Sequence, residues 1–225
     1  MIGIVRFPGT NCDRDVAQWV HEQGDSYKFL WHLDRVADLS SFDALILPGG
    51  FSYGDYLRSG ALAARSPVMA SVREYAERGG AVLGICNGFQ VLVESHLLPG
   101  ALVRNENLRF IDDWVELETV SERGPWGENL AASPPTLRLP IAHGEGRFYA
   151  SDSELNRLEE RQQVWLRYVD NPNGSRNNIA GVLNEKGNVA GLMPHPERAI
   201  FSWMGSQDGR RFFARGGTKS HAGRG

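Results

Sequence analysis

The amino-acid sequence predicts an α/β fold with a doubly wound, mostly parallel sheet flanked by helices. Short apolar runs of strand length alternate with helical patterns over residues 1–98, an order that is typical of parallel sheets with crossover helices. Several of these runs end in glycine-rich segments, and open parallel sheets bind ligands at the carboxyl ends of their strands. The 225 residues suit a single domain, which we expect over residues 1–213, with a flexible tail over residues 214–225.

The composition restricts the classes of partner. The net charge is −3, so the chain offers no basic field for nucleic acid. No apolar run approaches the ~18 residues that a membrane span needs. We therefore expect neither nucleic acid nor a membrane as a partner. Cys12 and Cys86 are the only cysteines, which favours a reducing, cytoplasmic compartment but leaves a disulfide between them open.

The first fifty residues predict three strands and one helix. The helix repeats apolar residues at Val16, Trp19 and Val20, and Thr10 or Asn11 is its expected cap. The strands are short apolar runs bounded by turn residues: Ile2–Phe7, Tyr27–Leu33 and Ala44–Leu47.

A glycine-rich loop, Pro48–Tyr56, follows the third strand. It matches neither the phosphate-binding loop nor the dinucleotide pattern, so we expect it to present backbone N–H groups instead. Pro67–Arg78 is predicted as the next helix, because proline suits its first turn and Gly79-Gly80 ends it.

The strand Ala81–Ile85 ends in the turn Gly84-x-Cys86-x-Gly88, and a helical pattern follows from Phe89 through Leu97. A nucleophile between two glycines, at a strand-to-helix turn, is the pattern of a nucleophile elbow. A side chain at either glycine would collide with neighbouring backbone, and a helix N-terminus favours a thiolate. The alternative is a buried structural cysteine, but the paired glycines favour Cys86 as the nucleophile. Cys12 lacks that turn and is interpreted as structural.

The second half of the chain is less regular. Ser121–Pro135 is polar and rich in glycine and proline, and is expected to be a surface excursion. Pro140–Arg147 is predicted as a strand that enters a glycine-rich turn, and Ser153–Arg161 as a charged helix. The remaining strands are Trp114–Val120, Val164–Tyr168, and the pair Ile179–Leu183 and Val189–Met193.

A cysteine nucleophile needs a base and a group that orients the base. His143 and His195 both follow apolar strands and precede loops, where site residues are expected in this architecture. His195 is favoured because prolines stiffen its segment on both sides and Glu197, two residues on, can reach the imidazole. The alternative is a structural histidine at a strand end. For His143, site lining and structure stay equally open.

Acyl chemistry at Cys86 also needs hydrogen-bond donors for the oxyanion. The N–H of Asn87, which follows the nucleophile, is one natural donor. The segment Gly49-Gly50 is well placed to supply a second donor if the strand before it lies beside strand Ala81–Ile85.

Three short segments together resemble the class I (triad-type) glutamine amidotransferases: Pro48–Gly50, Gly84–Gln90 and His195–Glu197. Longer stretches narrow the resemblance to the glutaminase subunits of phosphoribosylformylglycinamidine synthases: Pro48–Arg58, Pro140–Gly146 and Gly191–Arg198. The likeness extends from Val5 to about Phe213. The resemblance implies the flavodoxin-like fold of that class. The likeness is absent over Ile111–Trp114, Thr136–Leu139 and the tail, so it does not define the surfaces that face a partner.

The resemblance implies that the chain hydrolyses L-glutamine to glutamate and ammonia through a thioester. A large synthetase subunit would use that ammonia, with ATP and Mg²⁺, to convert formylglycinamide ribonucleotide into formylglycinamidine ribonucleotide in purine biosynthesis. The resemblance implies no cofactor and no metal in this chain, and leaves open whether a small third subunit bridges the two. Carried over by position, the resemblance assigns Cys86, His195 and Glu197 as the catalytic triad. It assigns Gly50 and Asn87 as the oxyanion donors, and Gln90 as a neighbour of the bound glutamine.

Two other functions remain as alternatives. The chain could be the amidotransferase subunit of another synthetase, although the segments Phe51–Arg58 and Pro140–Gly146 favour the purine enzyme. It could also be a non-catalytic regulator or chaperone on a related scaffold. Such a protein would not need the arrangement His195-Pro196-Glu197, and a glutaminase assay on the complex separates the two classes.

Overall fold

The computed structural model of the protein describes residues 1–36, 38–130 and 136–213. Five α-helices lie within these residues, besides short 3-10 turns: α1 Asp13–Glu22, α2 Val68–Glu77, α3 Asn87–Glu94, α4 Gly124–Glu128 and α5 Asp152–Glu160. The strands are β1 Ile2–Arg6, β2 Tyr27–Trp31, β3 Ala44–Leu47, β4 Ala81–Ile85, β5 Ala101–Val103, β6 Ile111–Thr119, β7 Thr136–His143, β8 Arg147–Tyr149, β9 Val164–Tyr168, β10 Ile179–Leu183 and β11 Val189–Leu192.

The strands form a nine-stranded sheet in the order β2-β1-β3-β4-β11-β10-β9-β6-β7, and a second sheet of β5 and β8. The first five strands of that order are parallel. Strand β3 lies beside β4, with Leu47 opposite Gly84, as the sequence predicts. The carboxyl ends of β3, β4 and β11 therefore meet at one edge of the sheet, and the segments around Gly50, Cys86 and His195 follow them directly.

The other four strands continue the sheet in antiparallel pairs. The predicted pairing of the last two strands is confirmed, with Gly181 opposite Leu192. Strand β7 ends at His143, at the far edge of the sheet in strand order. The segment after β11 is nevertheless held against β7, because the His195 N–H donates to Pro140 O at 2.8 Å. This contact joins the parallel and antiparallel halves at the site.

The hydrophobic core explains why the parallel strands read as unbroken apolar runs. The β3 residues are all buried, and so are Val82–Ile85 of β4, as expected for strands covered on both faces. The segment after residue 196 closes the core, because Phe212 packs against the rings of Trp19 and Trp165 and Trp19 Nε1 donates to Gly209 O at 3.0 Å. No helix within the described ranges is both long and apolar enough to cross a membrane.

Several local predictions need correction. The residue that caps α1 is Cys12, and it makes no side-chain capping bond; Thr10 Oγ1 instead accepts from Phe7 N. Helix α3 begins at Asn87, immediately after Cys86, and ends at Glu94. The expected surface excursion contains α4, in which Trp126 is buried. Strands β5 and β8 were not predicted, because three residues carry too little periodicity. The tail predicted over residues 214–225 lies outside the described residues.

Candidate active site

The turn between β4 and α3 places Cys86 in a left-handed conformation, with φ 49° and ψ −106°, which is strained for a residue other than glycine. Both flanking glycines are sterically required. A Cβ on Gly84 would lie 2.7 Å from the Gly88 carbonyl, and a Cβ on Gly88 only 1.9 Å from Leu47 O. The turn is therefore the tight elbow that the sequence predicts, with Cys86 directly before the first residue of the helix.

Cys86 lies at the wall of a cavity of about 300 Å³. Its N–H donates to Leu192 O at 2.8 Å, which ties the elbow to β11. The thiol contacts Ala142 O at 3.7 Å, at the end of β7. The residue is only 5% exposed, so its thiol is largely shielded from bulk water.

His195 and Glu197 form a buried pair. His195 Nδ1 lies 2.7 Å from Glu197 Oε1, and the two side chains are 2% and 0% exposed. Burial by itself disfavours the charged imidazole, but the Glu197 carboxylate and the Cys86 sulfur act in the opposite direction and raise the pKa of His195 well above its ordinary value. The imidazole can therefore hold the proton that a thiol loses.

Cys86 and the His–Glu pair meet at Gly49. The point where a Cβ on Gly49 would stand lies 2.8 Å from His195 Cε1, 3.2 Å from Cys12 Sγ and 3.4 Å from Cys86 Cβ. Glycine is required here because any side chain would displace the imidazole. His195 Nε2 is buried and makes no direct hydrogen bond within the described residues, which leaves this nitrogen for the thiols beside it.

The predicted oxyanion donors, Gly50 and Asn87, lie at the ends of the neighbouring strands β3 and β4. Gly50 adopts φ 140°, and a Cβ there would lie 2.7 Å from Asn11 N. Neither the Gly50 nor the Asn87 backbone N–H donates to an acceptor within the described part of the chain. Gly50 and Cys86 line the same cavity. The two amides are thus free to donate to a ligand atom.

The side chains that follow Cys86 hold the surrounding loops in place. The Asn87 side chain accepts from Ser52 N at 3.1 Å and donates to Gln90 Oε1 at 2.9 Å. Gln90 Nε2 in turn donates to Glu145 O at 2.6 Å. Gln90, the predicted neighbour of glutamine, therefore lies in the cavity wall, where it connects α3 to the segment after β7.

His143 also lines the cavity, and its ring orientation is fixed. Asn105 Nδ2 donates to two carbonyl oxygens, of Arg109 and of His143 itself, each at 2.8 Å. Asn105 Oδ1 is thereby the acceptor for His143 Nδ1, at 3.1 Å. The proton of a neutral His143 consequently sits on Nδ1, and Nε2 is a buried acceptor without a partner in the described residues.

The electrostatic environment disfavours His143 as the base. Burial, and then the charge of His195, lower the pKa of His143 to about 4. At neutral pH the ring is uncharged and a weak base. It also lacks a carboxylate partner of the kind that Glu197 provides to His195. The structure therefore places His143 in the lining of the cavity.

Cys12 lies at the site, although the sequence alone gave no reason to place it there. Its Sγ receives a hydrogen bond from Arg198 Nη2 at 3.2 Å. Burial, the largest influence, raises the pKa of the Cys12 thiol. Ligand-type atoms of Cys12, His195 and Glu197 lie within 4.8 Å of one another, close enough for a metal ion. The Arg198 guanidinium on the same sulfur disfavours a cation there.

Sequence reasoning missed three residues of the site: Cys12, Asn105 and Arg198. Arg198 directly follows the predicted His195-Pro196-Glu197 segment, and this adjacency was a usable signal. No sequence signal indicated Asn105, because it lies 38 positions from His143, the histidine that it orients. Only the packed sheet brings those two side chains together.

Comparison with known proteins identifies the family of the chain. Residues 1–213 match a family model described as a CobB/CobQ-like glutamine amidotransferase domain. The protein is thus a glutamine amidotransferase with the class I fold, in which helices flank a mixed sheet with a parallel half.

Individual relatives define the family more closely. The chain is 54% identical over 210 residues to a phosphoribosylformylglycinamidine synthase subunit PurQ of Prochlorococcus marinus, which covers 92% of this chain and 93% of the relative. A PurQ subunit of Thermomicrobium roseum is 53% identical over 222 residues, with 94% and 92% covered. A chain of the solved PurLQS structure from Thermotoga maritima is 44% identical, with a TM-score of 0.84 and 94% of both chains covered. The chain belongs to the PurQ family of phosphoribosylformylglycinamidine synthase subunits.

Proposed function

We propose that this protein is the glutaminase subunit of a phosphoribosylformylglycinamidine synthase, with Cys86, His195 and Glu197 as its catalytic triad. The observation that carries the proposal is the convergence of the elbow cysteine and the buried His–Glu pair at Gly49, beside a cavity lined by Gly50. The PurQ relatives, similar over nearly the whole chain, favour this synthetase over other amidotransferase partners.

In the first half of the proposed reaction, His195 accepts the Cys86 proton and the sulfur attacks the carboxamide carbon of glutamine. The carbonyl oxygen becomes an oxyanion, to which Gly50 and Asn87 donate their backbone N–H groups. The imidazolium then protonates the amide nitrogen, the C–N bond breaks, and ammonia leaves a thioester on Cys86. Each oxyanion donor contributes roughly 10²–10³ in rate in comparable sites.

In the second half, water attacks the thioester carbonyl while His195 takes a proton from the water. The same two amides hold the second oxyanion. Cleavage of the C–S bond releases glutamate and regenerates the thiol once His195 returns its proton. Glu197 accepts a hydrogen bond from Nδ1 at 2.7 Å and so orients the imidazole.

The partner of the chain is proposed to be a large synthetase subunit, in an assembly of the PurLQS kind. We propose that the synthetase binds ATP and Mg²⁺ and the ribonucleotide substrate, while this chain carries no cofactor of its own. A small bridging subunit fits the same kind of assembly. The two cysteines, both unpaired in the structure, support the proposal of a cytoplasmic location.

The test of this division of labour is the Cys86→Ala variant in the assembled complex. We expect glutamine-dependent product formation to disappear and ammonia-dependent formation to remain within about threefold of wild type, since Cys86 only generates ammonia. Co-purification with the synthetase serves as the control for assembly. Loss of both activities in an intact complex would contradict the proposal.

We further propose that the synthetase activates the chain by fixing the loop after β3. This loop holds Tyr53, Asp55 and Leu57 at positive φ, a strained arrangement that a partner could stabilise or change. An ordered Gly50 donor would raise kcat/KM by roughly 10²–10³. The measurement compares kcat/KM for glutamine of the isolated chain with that of the complex at saturating acceptor and ATP. Equal values would show that the oxyanion hole is preformed.

A further inference from the structure

The cavity beside Cys86 contains two carboxylates that the acyl chemistry does not use. Asp55 Oδ1 lies 3.4 Å from Asn87 Nδ2, directly beside the elbow. Glu145 Oε2 accepts a hydrogen bond from Ser59 Oγ at 2.9 Å. Ser59 also lies close enough to the Asp55 carboxylate to lower its pKa, and it is itself only 7% exposed. Both carboxylates line the cavity beside Ser59, and its single hydroxyl proton can serve only one member of this acidic pair.

The charge of this pair is poorly compensated by the protein. Arg104 Nε lies 3.8 Å from Glu145 Oε1, but its side chain is 75% exposed, so solvent screens the interaction. No ion pair reaches Asp55 within the described ranges of the chain. Burial raises the pKa of Asp55, and the Glu145 charge raises it further against the lowering effect of Ser59. A bound cation would relieve this repulsion.

An independent feature of the same cavity also indicates a ligand. His143 is 3% exposed, and its Nε2 is an acceptor without a partner in the described residues. Because Asn105 holds the opposite edge of the ring, Nε2 is the ring nitrogen without a partner, in a residue that lines the cavity. A buried acceptor of this kind calls for a hydrogen-bond donor. The complementary ligand therefore has a positive group and an N–H donor.

We propose that Asp55 and Glu145 bind the α-ammonium group of glutamine and so select a free amino acid over an acylated one. The inference rests on the proposed glutaminase function and adds its substrate-recognition residues. Glutamine fits both features, since its ammonium group faces the carboxylate pair while its carboxamide, with two N–H donors, lies at Cys86 and beside His143. N-acylglutamine, or a glutamine within a peptide, lacks the cation and is rejected.

The experiment compares L-glutamine with 4-carbamoylbutanoate, which has the same carboxamide and α-carboxylate ends but no ammonium group. Both substrates release ammonia as a product. An effect of a substitution that is seen with glutamine alone therefore indicates loss of binding to the α-ammonium group, and not loss of a binding site for the product. Kinetics are measured on the assembled complex, with the inhibition constant of the analogue replacing its KM if its turnover is slow. We expect wild type to favour glutamine at least about tenfold in kcat/KM.

The Asp55→Asn and Glu145→Gln variants should raise KM for glutamine about 10- to 100-fold, the range of a charge-assisted hydrogen bond. Binding of 4-carbamoylbutanoate should change less than about threefold. Glu106→Gln is the matched control, because that carboxylate pairs with Arg147 at 3.6 Å and is 68% exposed, outside the cavity lining. It should leave both substrates unchanged.

Three results would overturn the inference: wild type that does not distinguish the two substrates, acidic-site variants with unchanged glutamine kinetics, or equal losses for both substrates. The wild-type comparison decides the matter even if a variant fails to fold. A wild-type complex that hydrolyses neither substrate would instead contradict the proposed function, and the subsite with it.

Discussion

Cys12 and Cys86 occupy the same kind of position, since each is the residue that directly precedes a helix. Both are buried, at 2% and 5% exposure, and both lie beside His195. Their backbones differ, because Cys12 has φ −94° and Cys86 has φ 49°. The elbow turns Cys86 towards the cavity, while Cys12 Sγ is held by Arg198. Under the proposed function, a helix N-terminus and a nearby histidine are therefore insufficient to make a nucleophile, and an open path to the sulfur is also needed.

The largest expected contrast is in glutaminase turnover of the complex. Cys86→Ser should reduce kcat by about 10⁴-fold or more, because the thiolate is the attacking group. The matched Cys12→Ser change keeps an acceptor for Arg198 and should reduce kcat by less than about tenfold. A steady-state glutamate assay measures both. Equal losses in two folded variants would show that Cys12 takes part in the reaction.

An intermediate contrast is expected in turnover after changes to the His–Glu pair. His195→Ala should reduce kcat by about 10³–10⁴-fold, and Glu197→Gln by less, about 10²-fold, because Glu197 only orients the base. His143→Ala serves as the comparison, since its ring is neutral and has no carboxylate partner. A defect in His143→Ala as large as that of His195→Ala would mean that the base is wrongly assigned.

Alkylation of the same variants separates the two thiols directly. At pH 7.5, iodoacetamide should modify Cys86 and leave Cys12 untouched, as peptide mass spectrometry can show. His195→Ala should slow the modification of Cys86, because the sulfur loses the group that takes its proton. If Cys12 were modified as fast as Cys86, the claim that only Cys86 is accessible from the cavity would be contradicted.

The smallest expected effect is on stability at alkaline pH. Burial raises the pKa of Cys12 above its ordinary value of 9.0, so the folded state retains this proton while the unfolded state loses it. The contribution of the Cys12 thiol to the free energy of unfolding is therefore complete below pH 9. It declines as the pH rises towards the pKa of Cys12 in the folded protein. Urea unfolding at pH 7.5 and 9.5 should show a larger loss of unfolding free energy for wild type than for Cys12→Ser. An identical loss in both proteins would contradict a raised pKa.

The elbow and the strand pairs show how much the sequence alone could predict. Gly84 and Gly88 identified the turn because their missing side chains are a local requirement. The pairing of the last two strands was likewise predictable, because a short turn joins them. The strand order beyond β11, and the placement of β7 against the segment of His195, were not predictable, since pairs distant in sequence leave no local pattern.

The sequence by itself determined the parts of the site that depend on neighbouring residues: the conformation of Cys86 between its glycines, and the reach from His195 to Glu197 two positions on. Only the tertiary structure decided which distant groups join them. Arg198 meets Cys12 across 186 positions, and Asn105 fixes the tautomer of His143 from another segment. Asp55 and Glu145 face one cavity for the same reason. Local backbone geometry follows from the identity of a few adjacent residues, whereas contacts between distant segments depend on how the whole sheet is assembled and packed.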